Sequence, residues 1–122
     1  MLAHALAQEL NTLCAAPGVK GCAVIDTDNG MVLHAAGARG AEAQWEAAVE
    51  YWRLHGRIRN HFEELGELGA VVMHHRLGKL VLLPLGTGSA LVLACIADER
   101  GVDWQHWQHA VRQIAQRLAG KL

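Results

Sequence analysis

The chain has 122 residues, with 11 Lys+Arg against 12 Asp+Glu, a formal net charge of -1, 52% hydrophobic residues and 2 prolines. That length predicts one compact domain over residues 1–122. The near-neutral charge, with no basic run beyond the Arg57 and Arg59 pair, argues against a nucleic-acid partner. No apolar stretch approaches the ~20 residues of a membrane span, and Glu9 and Asn11 interrupt any secretory leader, so neither membrane insertion nor export is predicted.

Leu2, Leu6, Leu10 and Leu13 follow one another at helical spacing, with His4, Gln8 and Asn11 off that line, which predicts a one-sided amphipathic helix over residues 2–13. Pro17 and Gly18 end it. Residues 19–26 read as a strand, and Thr27-Asp28-Asn29-Gly30 as a hairpin turn into a second strand over 31–36, because Asn-Gly supplies the positive φ such turns require. Gly37 and Gly40 punctuate the start of a long helix from residue 41 to about 64, and Gly66 marks its end.

Projected at about 100° per residue, this helix has two apolar faces instead of one. Ala47, Tyr51, Leu54, Ile58 and Phe62 line the first, and Trp45, Ala48, Val49, Trp52 and Gly56 line the second. Glu42, Glu46, Glu50, Arg53, Arg57 and Glu64, with Asn60, are confined to a stripe of about 100°. A surface helix of a monomer needs only one apolar face. The second face, where Gly56 admits a close backbone, is therefore predicted to meet another chain, with burial between the chain's own sheet and a loop as the alternative.

Three further strands are predicted at 68–75, 79–85 and 89–97, joined through Gly78 and Gly86-Thr87-Gly88 by turns that permit only antiparallel pairing. Residues 90–97 are apolar throughout, so both faces of the sheet must be covered. Pro84 cannot donate to a ladder and belongs at a strand end or bulge. Asp103 is placed to cap a closing helix with Trp104, Trp107, Val111, Ile114, Ala115 and Leu118 on one face and Gln105, His109, Arg112 and Gln116 toward water. The predicted fold is α/β of the α+β kind: a five-stranded antiparallel sheet, order α-β-β-α-β-β-β-α, in three layers, with the first and last helices on one face and the middle helix on the other.

Chemistry-bearing residues are scattered. Cys14, Cys22 and Cys95 show no CxxC spacing and an odd count, which supports neither a disulfide framework nor a zinc clamp and predicts a reducing cytoplasm. Cys22 and Cys95 lie among small and aliphatic strand residues, surroundings that suit a buried structural thiol better than a nucleophile. His74 and His75, adjacent on a strand, point to opposite faces and cannot share an ion. His106 and His109 share a helix side without a Cys, Asp or Glu in register, and His55 and His61 stand equally alone. Gly86-Thr87-Gly88-Ser89 lacks the Lys of a phosphate loop and leads into a strand, so it reads as a turn. No nucleophile triad or carboxylate pair stands out. No metal, no cofactor and no enzymatic activity are predicted.

The order of elements and the local wording resemble the roadblock family, which groups dynein light chains of that name with bacterial MglB-like proteins. The resemblance rests on Val19-Lys20-Gly21-Cys22-Ala23-Val24-Ile25-Asp26 with its Asp28-Asn29-Gly30 turn, on Ala35-Ala36-Gly37, and on Lys79-Leu80-Val81-Leu82-Leu83-Pro84-Leu85 followed by Leu91-Val92-Leu93-Ala94. Ala97-Asp98-Glu99-Arg100-Gly101 departs from the usual Asn- and Gly-rich lead into the last helix. The resemblance implies a profilin- or longin-like fold and dimers in which the middle helix and third strand meet their counterparts. By that transfer the dimer contact falls on Trp45, Ala48, Val49, Trp52 and Gly56, with Val71 and Met73 of the edge strand. Glu46, Glu50, Arg53 and Arg57 become the candidate partner surface, against the default reading of a solvated face.

The expected function is that of a non-enzymatic, cytoplasmic homodimer, a regulator or scaffold that binds a Ras-like small GTPase and modulates its GTP hydrolysis. Arg53, Arg57 or Arg59 could supply transition-state charge, although a helical Arg beside Glu50 is more often surface decoration. The rival readings are a small-ligand sensor, for which His34, Cys22 and Thr27 are the polar candidates, and a purely structural dimerisation module.

Overall fold

In the computed structural model, which describes residues 2–37, 41–86, 90–98 and 104–119, the predicted order of elements is present. The chain runs α1 (Leu2–Cys14), β1 (Val19–Asp26), β2 (Met31–Gly37), α2 (Glu42–Ile58), a 3-10 segment (Arg59–Leu65), β3 (Val71–His74), β4 (Lys79–Pro84), β5 (Leu91–Ala97) and α3 (Trp104–Ala119). The five strands form one antiparallel sheet in the order β2-β1-β5-β4-β3. β1, β5 and β4 take the interior, and β2 and β3 the two edges. Pro84 ends β4, where the missing N–H costs least. Among the described residues no helix is long and apolar enough to cross a membrane.

Alternation along the strands sorts the core into two halves. Cys22 and Val24 of β1, Val81 and Leu83 of β4, and Leu93, Cys95 and Ala97 of β5 pack with Leu10 and Leu13 of α1 and Val111 and Ile114 of α3. Ala23, Ile25, Leu82, Val92 and Ala94 face the other way and pack with Trp45, Ala48 and Val49 of α2. Each fully buried aliphatic side chain is worth about 1.5–3 kcal/mol, so an apolar residue at nearly every position of β4 and β5 is what a sheet covered on both faces requires. Trp104, Trp107 and Leu118, assigned to the inner face of α3, have side chains outside the described residues, as do Asp103 and the 87–89 turn.

Three boundaries differ from the sequence reading. The long helix stops at Ile58 (φ -112°, ψ -3°) and continues as a 3-10 segment, in which Phe62 (φ -122°, ψ 18°) leaves the helical region altogether. Residues 59–67 are all exposed, so no tertiary contact holds a helix there and its intrinsic preference is too weak alone. β3 spans only Val71–His74, because the chain turns at residues 75–78, where the His75 N–H donates to the Gly78 carbonyl at 2.7 Å. β5 begins at Leu91 rather than at residue 89.

The β1–β2 turn is built by its own side chains. The Asp26 carboxylate accepts from the Asp28 N–H and the Asn29 side-chain oxygen from the Met31 N–H, each at 2.9 Å, while Gly30 takes φ 75°. Thr27 donates its hydroxyl to the Ala90 carbonyl at 2.7 Å, tying the turn to the segment that leads into β5. At the far end of β2, Gly37 adopts φ 69°, and a methyl group there would lie 2.5 Å from the Lys20 carbonyl oxygen and 2.6 Å from Cys14 Sγ. Gly37→Ala should therefore cost more than about 1 kcal/mol in chemical denaturation. Gly56→Ala, with open space around it in an exposed helical turn, should gain up to about 1 kcal/mol; equal effects at the two positions would contradict this backbone assignment.

Cys22 and Cys95 stand directly opposite each other across β1 and β5 and are both fully buried. Hydrogen bonding to Cys95, then burial, pushes the Cys22 thiol far above its ordinary range. Burial, then proximity to Cys22, raises half-buried Cys14 as well. Titration of the native protein with a thiol-specific disulfide reagent near pH 8 should label Cys14 and leave Cys22 and Cys95 untouched until denaturant is added. Native labelling of all three would place the pair outside the core.

Candidate docking surfaces

α2 does carry two apolar faces, but the sheet takes the one that the sequence reading gave to a partner. Trp45, Ala48 and Val49 are 3%, 1% and 3% exposed and belong to the chain's own core. Trp52 is half-buried against the same cluster, with its ring 5.5 Å from that of His55. None of the first three is available to another chain. The reason lies in the sheet: Ala23 and Ala94, adjacent on β1 and β5 and both 0% exposed, leave room beneath α2 for an indole. Gly56 is exposed with nothing within 4 Å, so in a single chain no backbone approaches it.

The opposite stripe is the one left open. Tyr51, Leu54 and Ile58 are 42%, 45% and 39% exposed, and Ala47 joins them. These are the residues the sequence reading had turned inward, and helical periodicity alone cannot say which of two equivalent stripes meets a sheet. Val71 and Met73 of edge strand β3 are half-buried, packed against the α2-side cluster together with Leu80 and Ile96. Val71 and Met73 thus lie on the β3 flank of α2, and the exposed apolar stripe of the helix is Tyr51, Leu54 and Ile58 rather than Trp45, Ala48 and Val49.

The charged residues form a second feature. Glu46, Glu50 and Arg53 converge with Gly30 and Val49 on a shallow concavity of about 250 Å3 between α2 and the β1–β2 turn; Arg57 does not line it. Arg53 donates to Glu50 Oε1 at 3.2 Å and reaches the Thr27 carbonyl at 3.5 Å. An exposed pair of this kind is worth less than about 1 kcal/mol, but its two acceptors fix where the guanidinium sits. Arg53 is thereby committed to its own chain, while Arg57 and Arg59 are exposed.

For a ligand sensor the described residues offer little. Thr27 is tied to Ala90, Cys22 is sealed in the core, and His34 lies on the edge strand β2. The void between α1, α3 and the sheet, bordered by Glu9, Leu10, Leu13, Val24, Leu85, Leu93 and Ile114, measures about 10 Å3, too small for any ligand larger than a water molecule. No group of three or more His, Cys, Asp or Glu able to hold a metal ion occurs among the described residues. One surface escaped the sequence reading entirely. Met31, Val32 and Leu33 of β2 are 57%, 37% and 42% exposed, and a strand with no charged residue gives no warning that it lies at an edge.

No family model matches the sequence, and no curated protein does. Solved structures do match. A Roadblock/LC7 domain from Streptomyces avermitilis superposes with a TM-score of 0.78 at 18% identity, covering 93% of this chain and 94% of that one. The gliding protein MglB from Thermus thermophilus gives 0.69 at 16% identity over 96% and 93%. MglC from Myxococcus xanthus gives 0.59 at 18% identity over the whole of both chains. Five antiparallel strands, helices on both faces and likenesses that run end to end establish that this chain has the roadblock fold.

Proposed function

We propose that the chain is a non-catalytic, self-associating platform of the reducing cytoplasm that docks a Ras-like small GTPase or a larger scaffold and modulates the partner's GTP hydrolysis. The observation that carries the self-association is the uncovered stripe Tyr51, Leu54 and Ile58 beside the half-buried edge residues Val71 and Met73. Three large apolar side chains on one helix face, together with an unpaired strand edge in the same domain, make surfaces that a second copy can cover symmetrically. The partner class follows from the resemblance to MglB-like proteins, and the fold shared with MglB and MglC supports it. Because Arg53 is engaged by Glu50 and Thr27, this reading has the chain act by shaping the partner rather than by inserting an arginine.

Light scattering across a dilution series should give twice the monomer mass for the native chain and the monomer mass for a Tyr51→Glu, Leu54→Glu double variant, with the melting temperature of the fold otherwise retained. Trp45→Ala should behave in the opposite sense and lose about 3–5 kcal/mol of stability, as a filled core position does. A native chain that is monomeric at every concentration, or a double variant that stays dimeric, rejects this interface. Pull-downs with small GTPases encoded in the same genome, loaded with GDP or a non-hydrolysable GTP analogue, test the partner. Nucleotide-dependent retention is expected, and its absence for every candidate removes the GTPase reading.

A further inference from the structure

The β2 flank of α2 combines three features that are separate in the sequence and continuous in the fold. The first is an apolar ledge. β1 and β2 pair Val24 with His34 and Ile25 with Val32, so Leu33 is an extra residue in a bulge. Residues directly opposite on antiparallel strands share a face, so the bulge returns Val32 to the α2 side of the sheet, with Ile25, where regular alternation would have sent it to the other side with His34. α2 covers Ile25 to 1% exposure and leaves Val32 and Leu33 at 37% and 42%.

The second feature is the concavity immediately beyond the ledge, where the chain passes from Val32 and Met31 to Gly30. Its walls carry Glu46 and Glu50. Arg53 neutralises Glu50, and Glu46 has no ion pair among the described residues. Asp28, exposed two residues before Gly30 in the same turn, adds a further negative charge near this end of the molecule. The third feature is the glycine itself, since a methyl group at Gly30 would reach within 3.8 Å of Arg53 Nη2 and narrow the opening.

We propose that this ledge and acidic concavity form one docking site for an extended segment of a partner protein, with aliphatic side chains on Val32 and Leu33 and an Arg or Lys placed between Glu46 and the β1–β2 turn. Charge complementarity selects the occupant. β2 carries no charge of its own, so the ledge contributes no repulsion, and the exposed Glu46 carboxylate beside it, outside any ion pair among the described residues, favours a cation over an anion. A second copy of this chain is a poorer occupant, because β2 and its turn bring no Lys or Arg to a symmetric edge contact. The site deepens the platform reading and rests on it, but it lies on the flank of α2 opposite Val71 and Met73.

The test uses three fluorescein-labelled ten-residue peptides that alternate Val and Leu with Ser around a central Arg, Gln or Glu, titrated by anisotropy against the full chain at low and physiological salt. The Arg peptide should bind at least tenfold more tightly than the Glu peptide, with the preference shrinking as salt is raised. Leu33→Asp should weaken all three at least tenfold, and Glu46→Lys should invert the order. Melting curves verify that both exposed substitutions leave the fold intact. Equal binding of the three peptides, no binding up to millimolar concentration, or an order unaffected by Glu46→Lys overturns the proposal. So does a Leu33→Asp variant whose solution mass falls, because β2 would then be serving a second copy. The Tyr51→Glu, Leu54→Glu variant separates the two readings: peptide binding retained by a monomer supports this site, while a native chain found monomeric with peptide selectivity intact removes only the self-association.

Discussion

One helix cannot cover five strands. Neighbouring strands lie about 4.8 Å apart, so the sheet is roughly 20 Å across, whereas a helix with its side chains is about 10–12 Å wide. On one face two helices, α1 and α3, share the task. On the other face α2 works alone over the middle of the sheet and necessarily leaves a flank on each side. Toward β3 the flank shows Val71, Met73, Leu80 and Ile96 half-buried, and toward β2 it shows Val32 and Leu33. The two flanks are consequences of that mismatch in width.

The arrangement of small and large residues decides which way α2 faces. Ala23 and Ala94 at the centre of the sheet accept the face bearing Trp45, Ala48 and Val49, and the rigid fit of the core then dictates that Tyr51, Leu54 and Ile58 point away. Polar groups follow the same geometry. Arg53 lands above the β1–β2 turn because it sits about a quarter-turn around the helix from Trp45, and there it meets the Thr27 carbonyl.

The layers were legible because hydrophobic period reports burial directly. The strand over Leu91–Ala97 is apolar on both faces and is the central strand, and the turn around Asn29-Gly30 closes the hairpin that its residues predict. The existence of a second apolar face on α2 was legible too. Its identity was not, because the choice between the Trp45 and Tyr51 stripes is made by residues of the sheet some twenty to fifty positions away. The 3-10 segment was missed because apolar Phe62 and Leu65 preserve an apparent period although neither is buried. The β2 ledge depended on strand order and on a one-residue bulge, and neither is written in local composition.

The strand order also constrains how the molecule is made. β1 with β2 and β3 with β4 are local hairpins, each closed by a short turn, and both precede β5 in the chain. β5 lies between them and pairs with both, so the two hairpins have no common sheet until the last strand has been synthesised and inserted. Residues around 19–26 must wait for residues near 91–97, a sequence separation of the kind that slows folding and keeps strand edges unpaired. Until residues 91–97 are available, the β1 and β4 edges that β5 joins have no strand partner, so neither hairpin can be completed into a sheet on its own.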